Sequence, residues 1–465
     1  MTVTATMTVR SFDLVLPLPH KGTDMRATET AGGCPAGSGA VSRLSDRAGD
    51  VESRNGRSTP ATTTMPGART STTATRTTTT RTTSCVPAPS ADQPPPCPAD
   101  FSFEDLVQAY FDCRRSKRNS PSALAFEARL EDNLRRLAGE LEAGTYRPGR
   151  SICFVITRPK PREVWAADFR DRVAHHLLYN RIAARFHAGF IADSCACIPG
   201  RGTLYGARRL EAKIRSLTQN WQRPAWYLKL DLANFFVSID KRIVRDLLAR
   251  RIREPWWLAL AETILFHDPR SDVILHSGPA MLAKIPPHKS LFNQPEHLGL
   301  PIGNLSSQFF ANVYLDALDQ HVKHALRCRH YVRYVDDMVL LDEDPQRLAA
   351  WRADIAAWLP ANLAVRLNPA KTILQPVARG VDFAGHVIKP WRRTLRRRTY
   401  NDALQRLAGC PAEGLYETAN SYFGLLRQAG HSHADRARLG RLVLRRGHCI
   451  DSHLTKTYRT HKETA

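Results

Sequence analysis

The sequence predicts a fold of mixed helix and sheet, α/β or α+β, on three observations. From Phe101 onward, segments with helical spacing of apolar residues alternate with short runs rich in Val, Ile, Tyr and Leu. No stretch approaches the ~18 to 20 uninterrupted apolar residues of a membrane span. The front differs in texture: residues 58 to 84 read "STPATTTMPGARTSTTATRTTTTRTTS", and "VPAPSADQPPPCPAD" follows soon after. Such a segment has too little apolar surface to offset its ordering entropy, so residues 1–98 are expected to be a disordered, low-complexity Thr/Pro-rich tail.

Taken in order, the first elements are two helices, one over Leu106 to Cys113 and one over Leu124 to Leu141 that Gly144 ends. "SICFVITRPKPREVWAADF" reads as strand interrupted by Pro159 and Pro161, and a helix runs from Arg170 to Phe186. "AWYLKLDLANFFVSID" is a strand running into a turn, and "KRIVRDLLARRI" is a helix. A Pro-rich connection leads to "GLPIGNLSSQFFANVYLDALDQHVKHAL", a loop feeding a long helix. After it come a hairpin, Tyr331 to Val335 and Met338 to Leu341, and a helix in "DPQRLAAWRADIAAWL". A short strand pair in "VRLNPAKTILQPVARGVDFAGHVI" and an arginine-rich helical tail close the chain.

The charge indicates the partner. There are 67 Lys and Arg against 44 Asp and Glu, a net +23. Residues 1 to 100 hold ten basic and eight acidic residues, net +2, which leaves +21 for residues 101 to 465. An excess concentrated in the globular part favours a polyanion, nucleic acid or an anionic membrane surface. The N-terminus lacks a basic-then-apolar signal peptide, so a cytoplasmic protein is the expectation. The ten cysteines include no CxxC pair, and Cys195 and Cys197 stand one residue apart, so they read as reduced packing residues. His175 and His176 read as core or surface residues of a helix.

One stretch raises a chemical question: "HYVRYVDDMVLL", residues 330 to 341, sets Asp336 and Asp337 side by side in an apolar run. Adjacent carboxylates repel and are costly to desolvate. Two readings stand, a hairpin turn, whose geometry Asp tolerates, and a divalent cation whose charge stabilises ionised carboxylates. A third carboxylate, Asp231, ends the apolar strand of "YLKLDLANFF". If that strand neighbours the hairpin in one sheet, Asp231 and Asp336 converge. Paired magnesium ions ~3.5 to 4 Å apart need bridging carboxylates and serve in-line phosphoryl displacement. With the basic excess, this points to nucleotide polymerisation.

At this point the chain resembles the reverse transcriptases, over roughly residues 101 to 445 and with motifs in the family's order. "RPKPREVWAADFRDRVAHHLLYNRI" and "DSCACIPGRGTLYGARRL" resemble the fingers motifs. "YLKLDLANFFVSID" is similar to palm motif A and "GLPIGNLSSQFFANVYL" to the motif B region. "YVRYVDDMVLL" resembles the YxDD box, "LNPAKT" motif D and "VDFAGHVI" the primer grip. The resemblance implies an α+β right-hand polymerase fold: fingers and palm over residues 99–390, the palm an antiparallel sheet with helices, and a short basic helical thumb over 391–465. It also implies an RNA-directed DNA polymerase that takes template RNA, a DNA or RNA primer and deoxynucleoside triphosphates, with two Mg2+ ions, for which Mn2+ can substitute.

The same resemblance assigns roles. Asp231, Asp336 and Asp337 would be catalytic metal ligands, joined by the carbonyl of Leu232. Phe236 would pack under the incoming sugar and exclude a 2′-hydroxyl; core packing is its plainer explanation. Lys160 and Arg162 would neutralise the triphosphate, unless they are surface charge. Lys371 matches the motif D lysine proposed to protonate pyrophosphate, and a solvated turn lysine looks the same. Gly385 would admit the primer backbone or merely fill a tight turn. Arg392, Arg393, Arg396, Arg397 and Arg398 would grip phosphates.

Motif B departs from the commoner Gln-Gly-x-x-x-Ser-Pro form of group II intron and retron enzymes. Here Ile302, Gly303 and Gln308 give an apolar first residue and a Gly-x-x-x-Ser-Gln run, expected to line the nucleotide site. This resembles the reverse transcriptases of diversity-generating retroelements, which copy a template repeat with errors at adenines, usually with a small basic accessory protein. About 75 residues follow "FAGHVI", room for a thumb and not for an endonuclease domain. An endonuclease-less intron enzyme, a phage-defence enzyme, and a non-catalytic RNA-binding protein are the alternatives.

Overall fold

The computed structural model describes residues 99–115, 120–157 and 160–458; the expected tail over 1–98 lies outside the described residues. The first helix, α1 (Phe103–Arg114), starts at a capping box between Ser102 and Asp105 and buries Leu106, Ala109, Tyr110 and Cys113, one face at helical spacing. The single helix expected over Leu124–Leu141 is two, α2 (Pro121–Glu127) and α3 (Leu130–Glu142). They part at Arg129, whose φ of −136° and ψ of 56° are not helical. The Asn133 amide spans the corner by donating to the Phe126 carbonyl.

Strands β1 (Ser151–Ile156) and β2 (Arg162–Ala167) pair antiparallel, Ser151 opposite Ala167. Helix α4 (Phe169–His187), capped by Asp168, and α5 (Thr203–Leu217) follow. Then come β3 (Trp226–Leu230), a single turn α6 (Phe235–Ser238) and α7 (Lys241–Ala249). The connection read as merely Pro-rich contains α8 (Pro255–Phe266), β4 (Val273–Leu275) and α9 (Pro279–Leu282). Pro255 sits in the first turn of α8, where its missing N–H costs nothing, and Trp256 and Trp257 are buried. Strand β4 pairs parallel with β1 and completes a sheet of order β2-β1-β4.

The long helix α10 (Leu305–Gln320) is buried almost all round and packs against α4, α7 and α8. The expected hairpin forms as β5 (His330–Tyr334) and β6 (Asp337–Asp342), followed by α11 (Pro345–Leu363) and β7 (Ile373–Pro376). These strands and β3 make an antiparallel sheet of order β5-β6-β3-β7. Met338 to Leu341 are all buried because both faces are covered. Met338 and Leu340 join Leu228, Leu230 and Tyr331 in the core that α4, α10 and α11 share. Val339 and Leu341 pack on the other face with Tyr227, Val332 and Leu210 and Ile214 of α5. Each such leucine contributes about 1.5–3 kcal/mol of burial.

Strands β8 (Val381–Phe383), β9 (His386–Lys389) and β10 (Arg392–Leu395) form a separate sheet. The arginine-rich run predicts helix from residue 391, but Trp391, at a φ of 62°, turns the chain back so that β10 pairs with β9. Helices α12 (Arg397–Gly409), α13 (Ala412–Leu426) and α14 (His433–Arg445) then enclose their own core of Leu407, Leu415, Phe423 and Leu439. A short pair, β11 (Cys449–Ile450) and β12 (Thr457–Tyr458), ends the described chain. Among the described residues no helix is long and apolar enough to cross a membrane, and Cys195 and Cys197 are free thiols.

His175 of α4 is buried against Ser306 of α10, with Nδ1 3.3 Å from the hydroxyl. Burial, then the charges of His176, Arg172 and His267, push its imidazole down to about 3. An unfolded histidine titrates near ~6.5, so between those values the unfolded chain binds a proton that the fold refuses. The histidine's contribution to stability is complete above pH ~6.5 and is lost as pH falls through this window. Replacing His175 with Gln should therefore flatten the acid slope by up to about 1.4 kcal/mol per pH unit, read from urea melts across the window.

Candidate active site

The end of β3 is fixed by a short extension of the sheet. The Asn368 N–H donates to the Asp231 carbonyl (2.8 Å) and the Ala233 N–H to the Arg366 carbonyl (2.9 Å). Between these bonds Leu232 faces Leu367, so its own N–H and C=O point away from segment 366–368. The chain then leaves the sheet at Asn234, which is left-handed at a φ of 49°. On the other side of β3 lies β6, with Leu230 opposite Met338. Antiparallel pairing therefore brings the end of β3, at Asp231, beside the start of β6, where the turn through Val335 presents Asp336.

The electrostatics record that proximity. Burial pushes the Asp336 carboxyl up and the Asp231 charge pushes it further; its own backbone N–H, Lys371 and Arg162 act the opposite way. Lys371, from the 3-10 turn before β7, places Nζ 2.5 and 2.7 Å from the two oxygens of Asp231. Asp337 does not join them. Asp336 lies in the turn, whereas Asp337 is the first residue of β6 and by strand alternation shares the face of Val339, on the α5 side, where Lys229 Nζ lies 3.1 Å away. Burial pushes its carboxyl up to about 6, with Lys229 opposing. Its Oδ1 is buried without a hydrogen-bond partner.

Two carboxylates whose charges oppose each other are the hard-oxygen donor set of a divalent magnesium or manganese site, so the residues present fit such a cation. Among the described residues, no group of three or more His, Cys, Asp or Glu side chains is gathered for a metal. Asp337 is the one held apart, by Lys229.

Other expected residues lie on β2, α6 and the 300–304 loop. Lys160 and Arg162 are exposed at the start of β2, and the Arg162 charge reaches Asp336. The Leu300 N–H donates to the Phe236 carbonyl (2.8 Å), and the Trp165 N–H donates to the Ile302 carbonyl (2.7 Å). The Ala167 N–H bonds Asn304 Oδ1 (3.1 Å), so the 300–304 loop joins α6 to the free edge of β2. Phe236 is half-buried, its ring edge-on to buried Phe235 at 5.4 Å. Gln308 accepts from Cys197 Sγ (3.3 Å); burial pushes that thiol up to about 11.

The remaining expected residues lie in the β8–β10 sheet, at Arg396 and in α12, and the Arg396 charge reaches Asp337. Gly385 (φ 86°) and Ala384 (φ 47°) make the turn between β8 and β9, with open space where a Cβ at 385 would be. Arg392 and Arg397 are exposed. Arg393 is held by Glu211 and the Gln428 carbonyl, Arg396 by Asp382, and Arg398 lies 3.9 Å from Asp402. Sequence reasoning passed over Lys229 and Asn304. Lys229 carried a signal, being the one charged residue within the strand "WYLKL".

An antiparallel sheet with carboxylates at the adjoining ends of two strands is an arrangement that metal-assisted nucleotidyl transfer calls for. The reverse transcriptase (RNA-dependent DNA polymerase) family matches residues 159–388, the segment that carries all of it. The chain is also similar to Protein YkfC of Escherichia coli strain K12, 22% identical over 334 residues, 64% of this chain and 81% of that protein. The chain thus carries a reverse transcriptase domain and is an RNA-directed DNA polymerase.

Gly303 adopts a φ of 133°, and a Cβ there would stand 2.5 Å from the Trp165 carbonyl oxygen. Gly303→Ala should lower stability by about 1–3 kcal/mol, by strain and by displacement of the β2 edge, measured as a shift in the urea midpoint.

Proposed function

We propose that this chain copies an RNA template into cDNA by two-metal nucleotidyl transfer, as the error-prone enzyme of a diversity-generating retroelement. The observation that carries the catalytic reading is the meeting of Asp231 and Asp336 at adjoining ends of β3 and β6. In this reading the β5-β6-β3-β7 sheet is the palm, the β2-β1-β4 sheet and the preceding helices are the fingers, and α12 to α14 are the thumb. Residues 99–390 and 391–465 are then its two parts, with β10 and the β8–β9 turn at Gly385 forming the primer grip.

Asp231, Asp336 and the Leu232 carbonyl would hold the magnesium ions, or manganese in their place, which supply charge to the attacking 3′-oxygen and the departing pyrophosphate. Asp337, held by Lys229, would act on the same site through its charge and by steadying β6. Lys371, which is bonded to Asp231, would protonate the leaving group. Arg162 and Lys160 would neutralise the triphosphate, and the half-buried ring of Phe236 would exclude a ribose 2′-hydroxyl. Arg392, Arg397 and Arg398 are exposed and suit phosphate contacts, Arg398 from beside Asp402, whereas Arg393 and Arg396 would have to exchange internal partners. The partners are template RNA, a DNA or RNA primer, deoxynucleotides and a small basic accessory protein, in the cytoplasm.

The subgroup rests on Ile302, Gly303 and Gln308. Ile302 offers no side-chain hydrogen bond to the nascent base pair, which would loosen geometric selection. Primer extension on an RNA template with magnesium tests the enzyme: Asp336→Ala should lower the rate by about 10³-fold or more. Sequencing of the product tests the subgroup. Errors concentrated at template adenines, reduced in Ile302→Gln, are expected; accurate copying would favour an intron-type or phage-defence enzyme.

A further inference from the structure

Arg333, in the strand that leads to the paired aspartates, is fully buried, and so is Asp319 of α10. Its guanidinium has five N–H donors, and each is used. Nε and Nη2 donate to the two oxygens of Asp319 (2.8 and 2.6 Å). Nη2 also reaches Ser194 Oγ (2.9 Å), and Nη1 reaches Asn312 Oδ1 (3.3 Å). The fifth bond, from Nη1, goes to the Val335 carbonyl (3.1 Å).

That carbonyl belongs to the peptide group joining Val335 to Asp336, so its direction fixes where the Asp336 backbone, and with it the carboxylate, points. Val335 needs such a hold. Its φ is 55°, a region that a β-branched residue avoids. The strand behind the turn is anchored as well: the Arg333 N–H donates to the Asp193 carbonyl, and its own carbonyl accepts from the Cys195 N–H, both at 2.9 Å. Asn312 is itself fixed by donating to the Ala196 carbonyl (2.8 Å). A buried ion pair is a weak device for stability, since apolar residues of equal volume would serve the core as well. A planar fork that ties a helix, a loop and a strained turn together is suited to setting geometry.

We propose that Arg333 is a positioning residue: braced by Asp319 and Asn312, it holds the Val335–Asp336 peptide in its left-handed turn and so aims Asp336 at Asp231. The inference rests on the reading of Asp336 as a metal-binding carboxylate.

The test is steady-state primer extension with full-length Arg333→Lys, alone and combined with Val335→Gly. Lysine keeps the charge near Asp319 but cannot fork to the Val335 carbonyl. Its kcat should fall by about 100-fold, the scale of a small misplacement of a reacting group, with nucleotide KM changed by less than about threefold. Glycine adopts the left-handed turn without the hold, so Val335→Gly should restore about tenfold of the lost kcat. A merely structural arginine would not be rescued by a glycine at the turn. If Arg333→Lys does not yield folded protein, Asn312→Ala, which loosens Nη1 and leaves the Asp319 pair intact, carries the same comparison. Unchanged kcat in folded variants, or equal loss with and without Val335→Gly, overturns the proposal. Activity retained by Asp336→Ala overturns the underlying reading instead.

Discussion

The antiparallel pairing of β3 with β6 is the constraint on which the site depends. Leu228 opposite Leu340 and Leu230 opposite Met338 place the end of one strand beside the start of the next. A one-residue slip would exchange the faces of every side chain in β6, exposing Met338 and Leu340 to the wrong core. Burial of both faces thus fixes the register that makes Asp231 and Asp336 neighbours. The like charges oppose that arrangement, and the surrounding apolar core is what outweighs them.

The paired aspartates then divide by geometry. The turn sends Asp336 toward Asp231 and Lys371, and Asp337, the first residue of β6, faces Lys229. Lys229 Nζ also donates to the Asp382 carbonyl (2.6 Å), and the Asp382 carboxylate is held by Arg396. Strand β3 is therefore tied to the sheet that precedes the C-terminal helices. The hairpin turn and the cation, posed as alternatives for the Asp-Asp sequence, are compatible: the turn presents one carboxylate, and strand alternation withdraws the other.

Much of this was legible because carboxylates inside apolar runs are rare and point to a compensating charge. Asp231, Asp336, the hairpin and the long helix before it could be placed from residue pattern alone. Other features could not. Arg129 breaks a helix through backbone torsions that its identity does not announce. Helix α8 is mostly apolar with no polar stripe to give a period, although Pro255 marks its start. Strand β10 reads as basic helix until Trp391 turns the chain. Gly303 is explained by a carbonyl from β2, more than a hundred residues away in sequence, and no local pattern carries that contact. Arg333 is one among 67 basic residues and its buried partner sets it apart, whereas Lys229 is marked in sequence only by standing alone as a charge in an apolar strand.

That last point bears on how the positive charge is used. A net +21 outside the first hundred residues invites a uniform picture of a phosphate-binding surface. The side chains support a division of labour instead. Arg333 is consumed by Asp319, Arg393 by Glu211 and Arg185 by Glu254, each fixing one element against another, and Arg270, paired locally with Asp268, donates to the Leu291 and Gln294 carbonyls. Arg392, Arg397 and Arg398 remain exposed beside the start of α12. Counterion release on binding a polyanion counts only cations that reach phosphates, so the salt dependence of binding is set by the exposed group and not by the total. The internally paired arginines act earlier in the causal chain, by holding the scaffold in the one arrangement that brings two carboxylates together.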